Sequence, residues 1–255
     1  MSSRFPPWSA PPSKVVATSG DVHVWRASLD WEACSVQELT RVLSDDELAR
    51  ASRFHFRRDR DRFVVRRGLL RTLLGLYLDA VPAQILFGYN RYGKPSVVAE
   101  VGPEALCFNL SHSNGLALFA FSRGRELGVD IEYVRRGLAV VRIAERFFSP
   151  REVAELRALP SHVQLEAFFS CWTRKEAYIK ARGMGLSLPL DRFAVSLASG
   201  HPAALLSNEE DPAEVSRWAL QELAPGPGFV AALAVEGQDH RMECWQWPGC
   251  SSGMR

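Results

Sequence analysis

The sequence predicts an α+β fold, on three observations. Strand-like apolar patterns recur at residues 22–25, 127–132 and 229–235. Two stretches carry apolar residues at helical spacing, from about 59 to 78 and from 172 to 180. On either side of a polar turn, Ser122-Arg123-Gly124-Arg125-Glu126, the chain reads as strands plus one or two helices.

In chain order, residues 1–19 are rich in Pro and Ser and read as a disordered leader. Val22-His23-Val24-Trp25 forms a first strand. Ser44 followed three residues later by Glu47 marks a helix start as a capping box. In 59–78, Phe63, Leu70, Leu74 and Tyr77 share a helix face, with Arg62 and Arg66 one turn apart and Arg67 and Arg71 likewise. With Arg50, Arg53, Arg57, Arg58 and Arg60 these crowd into one short region, a density that points to a local anionic partner. Most are expected on a solvated face, their stems covering apolar neighbours. A few offer planar guanidinium forks to a phosphate.

Residues 89–95 form a turn with Lys94 at its exit, an exposed loop lysine on the plainest reading. Residues 108–110 read as a short strand delivering Ser111 and His112 to its end, and 116–121 as an apolar strand. Ser111 and His112 alone are weak evidence for a nucleophile, which also needs an oriented base and an oxyanion site. Polar groups at a strand end serve equally well on phosphate oxygens.

In Gly128-Val129-Asp130-Ile131-Glu132, side chains two apart share a face, so Asp130 and Glu132 point the same way. Neighbouring carboxylates repel and raise each other's pKa, a conflict that a hard divalent ion such as Mg²⁺ resolves. The plain alternative is the solvated face of an edge strand. Residues 172–180 place Glu176 and Lys180 on one face beside Lys175, which can point either way; as a surface pair they would contribute about 0.2–0.5 kcal/mol. Residues 141–148 form a helix, and Ser149-Pro150-Arg151-Glu152 starts another with Glu152 as a capping residue. The helix carrying Glu176 ends at Gly183-Met184-Gly185-Leu186, and strands follow at 193–197, 218–220 and 229–235. The closing stretch holds Trp245 and Trp247 in a final edge strand before a loose tail, within the tail region 241–255.

Composition narrows the class. The 255 residues are 47% hydrophobic and 24% charged with a formal net charge of +2, which gives no global field for nucleic acid or a membrane surface. No apolar run approaches the roughly 20 residues of a membrane span, and none forms a secretory signal. Five cysteines lack CxxC spacing, which argues for reduced thiols in a cytoplasmic protein and against structural zinc.

Asn109-Leu110-Ser111-His112-Ser113, Gly128-Val129-Asp130-Ile131-Glu132, Arg146-Phe147-Phe148-Ser149-Pro150-Arg151-Glu152 and residues 172–180 follow in that order, with Lys94-Pro95 ahead of them. From about Leu43 to Leu197 this resembles the 4′-phosphopantetheinyl transferase superfamily, in its surfactin-synthetase-activating type. The resemblance implies a pseudo-dimer of two similar α+β halves (here 20–123 and 124–240) with the active site in the cleft between them, although no internal repeat is visible. It implies a monomer that moves the phosphopantetheine arm of coenzyme A onto a serine of an apo acyl or peptidyl carrier protein, releasing adenosine 3′,5′-bisphosphate. Basic residues of the arginine-rich region, for which Arg50, Arg62 and Arg66 are the candidates, would hold the coenzyme's 3′-phosphate. Lys94, Ser111, His112 and Lys180 would contact its phosphates. Asp130, Glu132 and Glu176 would hold Mg²⁺, with Glu176 competing for the role of general base, Lys180 balancing its charge and Glu152 lying near the site. The intact set argues against a decayed relative. The rival classes are a metal-dependent phosphodiesterase and a non-catalytic module that binds coenzyme A or a carrier.

Overall fold

A computed structural model describes residues 7–197 and 202–249. The first half contains β1 (Asp21–Ser28), α1 (Ala33–Thr40), α2 (Asp45–Ala51), α3 (Arg57–Leu78), β2 (Phe87–Tyr89), β3 (Pro95–Val97), β4 (Leu106–Ser113) and β5 (Leu116–Arg123). The second contains β6 (Leu127–Tyr133), α4 (Val140–Phe147), α5 (Pro150–Ala158), α6 (Ser161–Arg182), β7 (Phe193–Val195), β8 (Leu205–Asn208), α7 (Glu214–Arg217), β9 (Trp218–Leu223), β10 (Phe229–Glu236) and β11 (Arg241–Gln246). This is an α+β fold of two sheet-and-helix halves. One sheet has the order β11-β1-β5-β4 and the other β6-β10-β9, while β2-β3 and β7-β8 form two-stranded ribbons.

Each large sheet is covered by one long helix. Leu69, Leu70 and Leu73 of α3 pack with Trp25, Phe119 and Phe121, and Ala177 and Tyr178 of α6 pack with Ala232 and Ala234. A third apolar layer joins the halves, with Val22, Val24, Leu118 and Ala120 meeting Val129, Ile131 and Leu233. Burying each such Val, Leu or Ile side chain contributes about 1.5–3 kcal/mol, so the halves are bound by core packing. Strand β1 is therefore apolar on both faces, and His23 is buried as well, with Nδ1 2.9 Å from the Tyr77 hydroxyl.

Local signals shape the ends. Ser44 and Glu47 form the capping box of α2, and Ser149 and Glu152 that of α5 with Pro150 at its first turn. Helix α6 stops at Gly183, whose φ of 63° is the left-handed conformation that a glycine adopts without penalty.

Two features depart from the sequence reading, the leader and the place of Ser111 and His112, while the final strand and the turn at 89–95 follow it. Residues 7–19 are not a disordered leader: Ser9 donates to the Cys244 carbonyl and accepts from Gln246 N, and Ala17 is buried; residues 1–6 lie outside the described residues. The region 241–255 opens with β11, which pairs in parallel with β1 because its backbone groups find a free strand edge there; residues 250–255 lie outside the description. Residues 89–95 are the turn of a β2-β3 hairpin. Finally, Ser111 and His112 lie inside β4, paired with Leu118 and Ala117 of β5.

Candidate functional site

Strand β4 is the edge of one sheet and β6 the edge of the other, and alternate β4 side chains bridge the seam. Asn109 Oδ1 accepts from Val129 N at 3.0 Å, and Ser113 Oγ accepts from Tyr133 N at 3.0 Å. Ser111 Oγ donates to Asp130 Oδ1 at 2.8 Å and Ser113 Oγ to Glu132 Oε2 at 3.0 Å. Asp130 and Glu132 thus share a side of β6, as the strand period requires. Asp130 is only 4% exposed, which excludes the solvated edge.

Helix α6 lies directly on β6 because residue 128 has no side chain. A Cβ there would stand 2.2 Å from the Ala177 carbonyl oxygen. From that position Lys180 Nζ reaches Asp130 Oδ1 at 2.6 Å and Ser111 Oγ at 3.0 Å. Its ion pair is therefore with Asp130 of the underlying strand, not with Glu176 one turn earlier, and its bond to Ser111 crosses the seam. Lys175 turns inward, fully buried on Glu152 at 2.8 Å, and Glu152 also accepts from Val195 N at 2.8 Å. Glu152 is thus a cap and a core ion-pair partner.

The carboxylate of Glu176 forms no hydrogen bond or ion pair among the described residues, although its backbone lies within α6. Burial first, then the charges of Asp130 and Glu132, hold its carboxyl above the ordinary range against Lys180. Burial and Asp130 likewise raise Glu132, although Ser113, Arg135 and Lys180 oppose them. Asp130 Oδ2 is buried with no partner among the described residues. Three carboxylates that feel one another's charge, one with an orphaned oxygen, are a donor set that fits a hard divalent cation. The expected triad is not converged as it lies: among the described residues no three His, Cys, Asp or Glu side chains come close enough to share an ion. The reason is local, since Asp130 is held by Lys180 and Ser111, and Glu132 by Ser113.

The arginine-rich region divides by partner. Arg66 Nη1 stands 2.9 Å from His112 Nδ1, and Arg66 Nε is buried without a partner among the described residues. Burial and the charges of Arg67 and Arg50 push the Arg66 guanidinium down to about 10. Partial burial, then Arg66, Lys180 and Arg62, push the His112 imidazole down to about 4. Arg62, Arg66, His112 and Phe63 line a cavity of about 300 Å³ together with Asp59, and its two guanidiniums against one carboxylate suit an anion. Arg62 is partly neutralised by a bidentate pair with Asp30 at 2.7 and 2.8 Å. Arg50 is exposed, its guanidinium 5.6 Å from the Phe63 ring centre; Arg66 approaches the same ring at 5.5 Å. Arg67 and Arg71 depart from the solvated face expected of most of these arginines, for both are tied to the buried Glu47.

A second cavity of about 290 Å³ is lined by Tyr92, Lys94, Asn109, Glu176 and Lys180. Lys94 enters it already engaged by Glu126 and the carbonyls of Leu127 and Ala181. Asn109 and Ser113 were missed by the sequence reading, although their spacing around Ser111 placed them on its side of the strand. Gly128 was missed because a strand glycine gives no sign of what packs on it.

Residues 126–234 match the model of the 4′-phosphopantetheinyl transferase superfamily, and residues 29–123 match that of the 4′-phosphopantetheinyl transferase N-terminal region. The chain is 41% identical over 240 residues to the 4′-phosphopantetheinyl transferase HetI of Nostoc sp. (strain PCC 7120), covering 94% of this chain and 98% of that protein. It is 35% identical over 182 residues to a 4′-phosphopantetheinyl transferase of Bacillus subtilis, covering 71% and 79%. To the transferase Sfp of Bacillus subtilis (strain 168) it is 30% identical over 198 residues, covering 77% and 84%.

Proposed function

The chain belongs to the 4′-phosphopantetheinyl transferase superfamily, and from that premise we propose how its residues transfer the phosphopantetheine arm of coenzyme A to a carrier-protein serine. The observation that carries the reading is the seam itself: carboxylates of β6 and α6 and the Lys180 ammonium face one space, with a cationic pocket at His112. The coenzyme's phosphates fall to the 20–123 half and the chemistry to the 124–240 half.

Arg66 and His112, with Arg62 and Arg50 at the rim, bind the 3′-phosphate. With its pKa pushed down to about 4, the His112 imidazole is a weak base, and its role is a hydrogen bond to the phosphate and not removal of the serine proton. Asp130 through its free Oδ2 and Glu132 would hold Mg²⁺, with Glu176 beside them, and the ion when bound would neutralise charge on the diphosphate. The raised Glu176 carboxylate takes the proton of the incoming serine hydroxyl. The serine oxygen bonds to the phosphorus bearing the pantetheine arm, the bond from that phosphorus to the bridging oxygen breaks, and adenosine 3′,5′-bisphosphate leaves with the electron pair. Lys180, anchored by Asp130 and Ser111, offers positive charge to the phosphates at that moment. Where Glu176 acts as base it is not also a tight metal ligand, so its unbonded state favours the base role.

A cytoplasmic location is supported by the unpaired thiols of Cys107, Cys171 and Cys244, and a monomer is what the family resemblance implies. No helix among the described residues is long and apolar enough to cross a membrane. The test is intact mass spectrometry of apo acyl and peptidyl carrier proteins incubated with the protein, coenzyme A and Mg²⁺. Gain of one phosphopantetheine mass, lost in EDTA and in Asp130→Ala, is the expected result. Unmodified carriers with retained coenzyme A binding would replace it with a non-catalytic module, and metal-dependent phosphodiester hydrolysis without a carrier with a phosphodiesterase.

A further inference from the structure

We propose that Asn90 and Lys94 are positioning residues of the transfer reaction, forming a latch that holds the C-terminal end of α6 and so sets where Glu176 and Lys180 stand against β6. The inference rests on the transferase reading, and it gives Lys94 a task other than binding the coenzyme's phosphates.

Lys94 Nζ donates to the Ala181 carbonyl at 2.8 Å and the Leu127 carbonyl at 3.2 Å, and pairs with Glu126 at 2.5 Å. An ammonium has three hydrogens and no acceptor, so these partners use its whole capacity. One group therefore ties the last turn of α6 to the first residue of β6, the two elements that carry every candidate carboxylate. Ala181 contributes one of the carbonyls that a helix end leaves without an internal partner, and a cation there also complements the helix dipole. Lys180, which holds Asp130 and Ser111, is the next residue back along the helix.

Asn90 completes the device. Its Oδ1 accepts from Tyr92 N and Lys94 N, both at 2.9 Å, which folds the hairpin turn. Its Nδ2 donates to the Gly183 carbonyl at 2.8 Å. The fit is tight from the helix side too: a Cβ on Gly183 would meet Lys94 Cδ at 2.8 Å and Asn90 Nδ2 at 3.1 Å. The first half thus grips the helix of the second at its end, about one and a half to two turns from Glu176.

The test uses the full chain and three variants: Lys94→Met, Lys94→Arg and Gly183→Ala. Gly183→Ala crowds Lys94 Cδ and Asn90 Nδ2 without altering the ammonium, and the backbone strain it adds at a φ of 63° is read from its melt. Coenzyme A affinity is measured by calorimetry without carrier, turnover by carrier mass, and folding by thermal melts. The expected result is a kcat loss on the order of 10–100-fold for Lys94→Met and Gly183→Ala, the range typical of groups that orient catalytic ligands. Coenzyme A affinity stays at the wild-type value, and Lys94→Arg recovers most of the turnover. Weakened coenzyme binding with unchanged kcat in Lys94→Met would make Lys94 a phosphate ligand and overturn the latch. Wild-type kcat in both disruptive variants, or a loss that only tracks the unfolded fraction, would also overturn it. Inactivity of the wild-type chain on every apo carrier would instead remove the transferase reading itself.

Discussion

A Cβ on Gly128 would lie 2.2 Å from the carbonyl oxygen of Ala177 and 2.3 Å from the amide of Ala181. Both contacts are with helix backbone, which cannot swing aside as a side chain would. Gly128→Ala must therefore lift α6 from β6, moving Lys180 away from Asp130 and Glu176 away from the seam. The expected cost is about 1–3 kcal/mol of overpacking, and a displacement near 1 Å predicts a loss of turnover of about 100-fold. Thermal melts beside carrier-modification rates check this; a variant that turns over like the wild type would refute the close contact as a determinant of the site.

Glu47 anchors the arginine-rich helix. It is 4% exposed and accepts from Arg67 Nε and Arg71 Nε, both at 2.6 Å, and from Ser44 N at 3.1 Å. Burial raises its pKa, but Arg71 and Arg67 outweigh burial and hold it below the ordinary carboxylate range. Its contribution is therefore present above the unfolded pKa and is lost as pH falls through the lowered folded one. Glu47→Gln leaves Arg71, itself 2% exposed, with an uncompensated charge. Breaking such a pair costs about 3–5 kcal/mol, or roughly 6–20 °C in Tm for a chain of this length. A melt within about 2 °C of wild type, the shift of roughly half a kcal/mol, would mean the pair is not coupled to folding.

These two residues show what the sequence discloses and what it hides. Pairing of Asp130 with Glu132 and the capping boxes at Ser44 and Ser149 were legible because each rests on spacings of two or three residues. Glu47 was legible as a cap and hidden as an ion-pair centre, since Arg67 and Arg71 lie 20 and 24 residues away. Which arginine binds an anion and which pairs internally depends on where distant carboxylates fall. Lys94 is the same case, taken by Glu126 at a separation of 32 residues. The parallel pairing of β11 with β1 joins residues some 220 apart, with only a short alternating pattern to mark the strand.

His112 is predicted to remain neutral through the physiological range. Its folded pKa of about 4 lies below the ordinary 6.5, so its contribution to stability is present above 6.5 and is lost as pH falls through about 4. In the free protein its ring signals in NMR should not titrate between about pH 5.5 and 8. Adding coenzyme A should raise that pKa, because a 3′-phosphate beside Arg66 and His112 offsets the guanidinium charge. Dephospho-coenzyme A, lacking that group, should not. Titration of His112 near 6.5 in the free protein, or equal effects of the two coenzymes, would remove the 3′-phosphate from this pocket.

The raised carboxyls of Glu132 and Glu176 predict opposite effects on stability and activity. A carboxyl whose folded pKa is raised contributes stability below its unfolded pKa and loses it as pH rises through the folded one. In EDTA, then, these groups destabilise the chain as pH rises above about 4.5 through their raised folded values. Glu176→Gln removes one charge that Asp130 and Glu132 repel, so it should melt higher than wild type at pH 7, and by less at pH 5, while losing transfer. Mg²⁺ relieves the same repulsion. At a hundred times its Kd it should stabilise wild type by about 2.7 kcal/mol, roughly 5–10 °C, and leave Asp130→Ala unmoved. The decisive comparison is Glu176→Gln against wild type in EDTA at the two pH values. Equal melting temperatures at pH 7 would mean that the three carboxylates do not share a field, and the case for a cation between them would lose its physical basis.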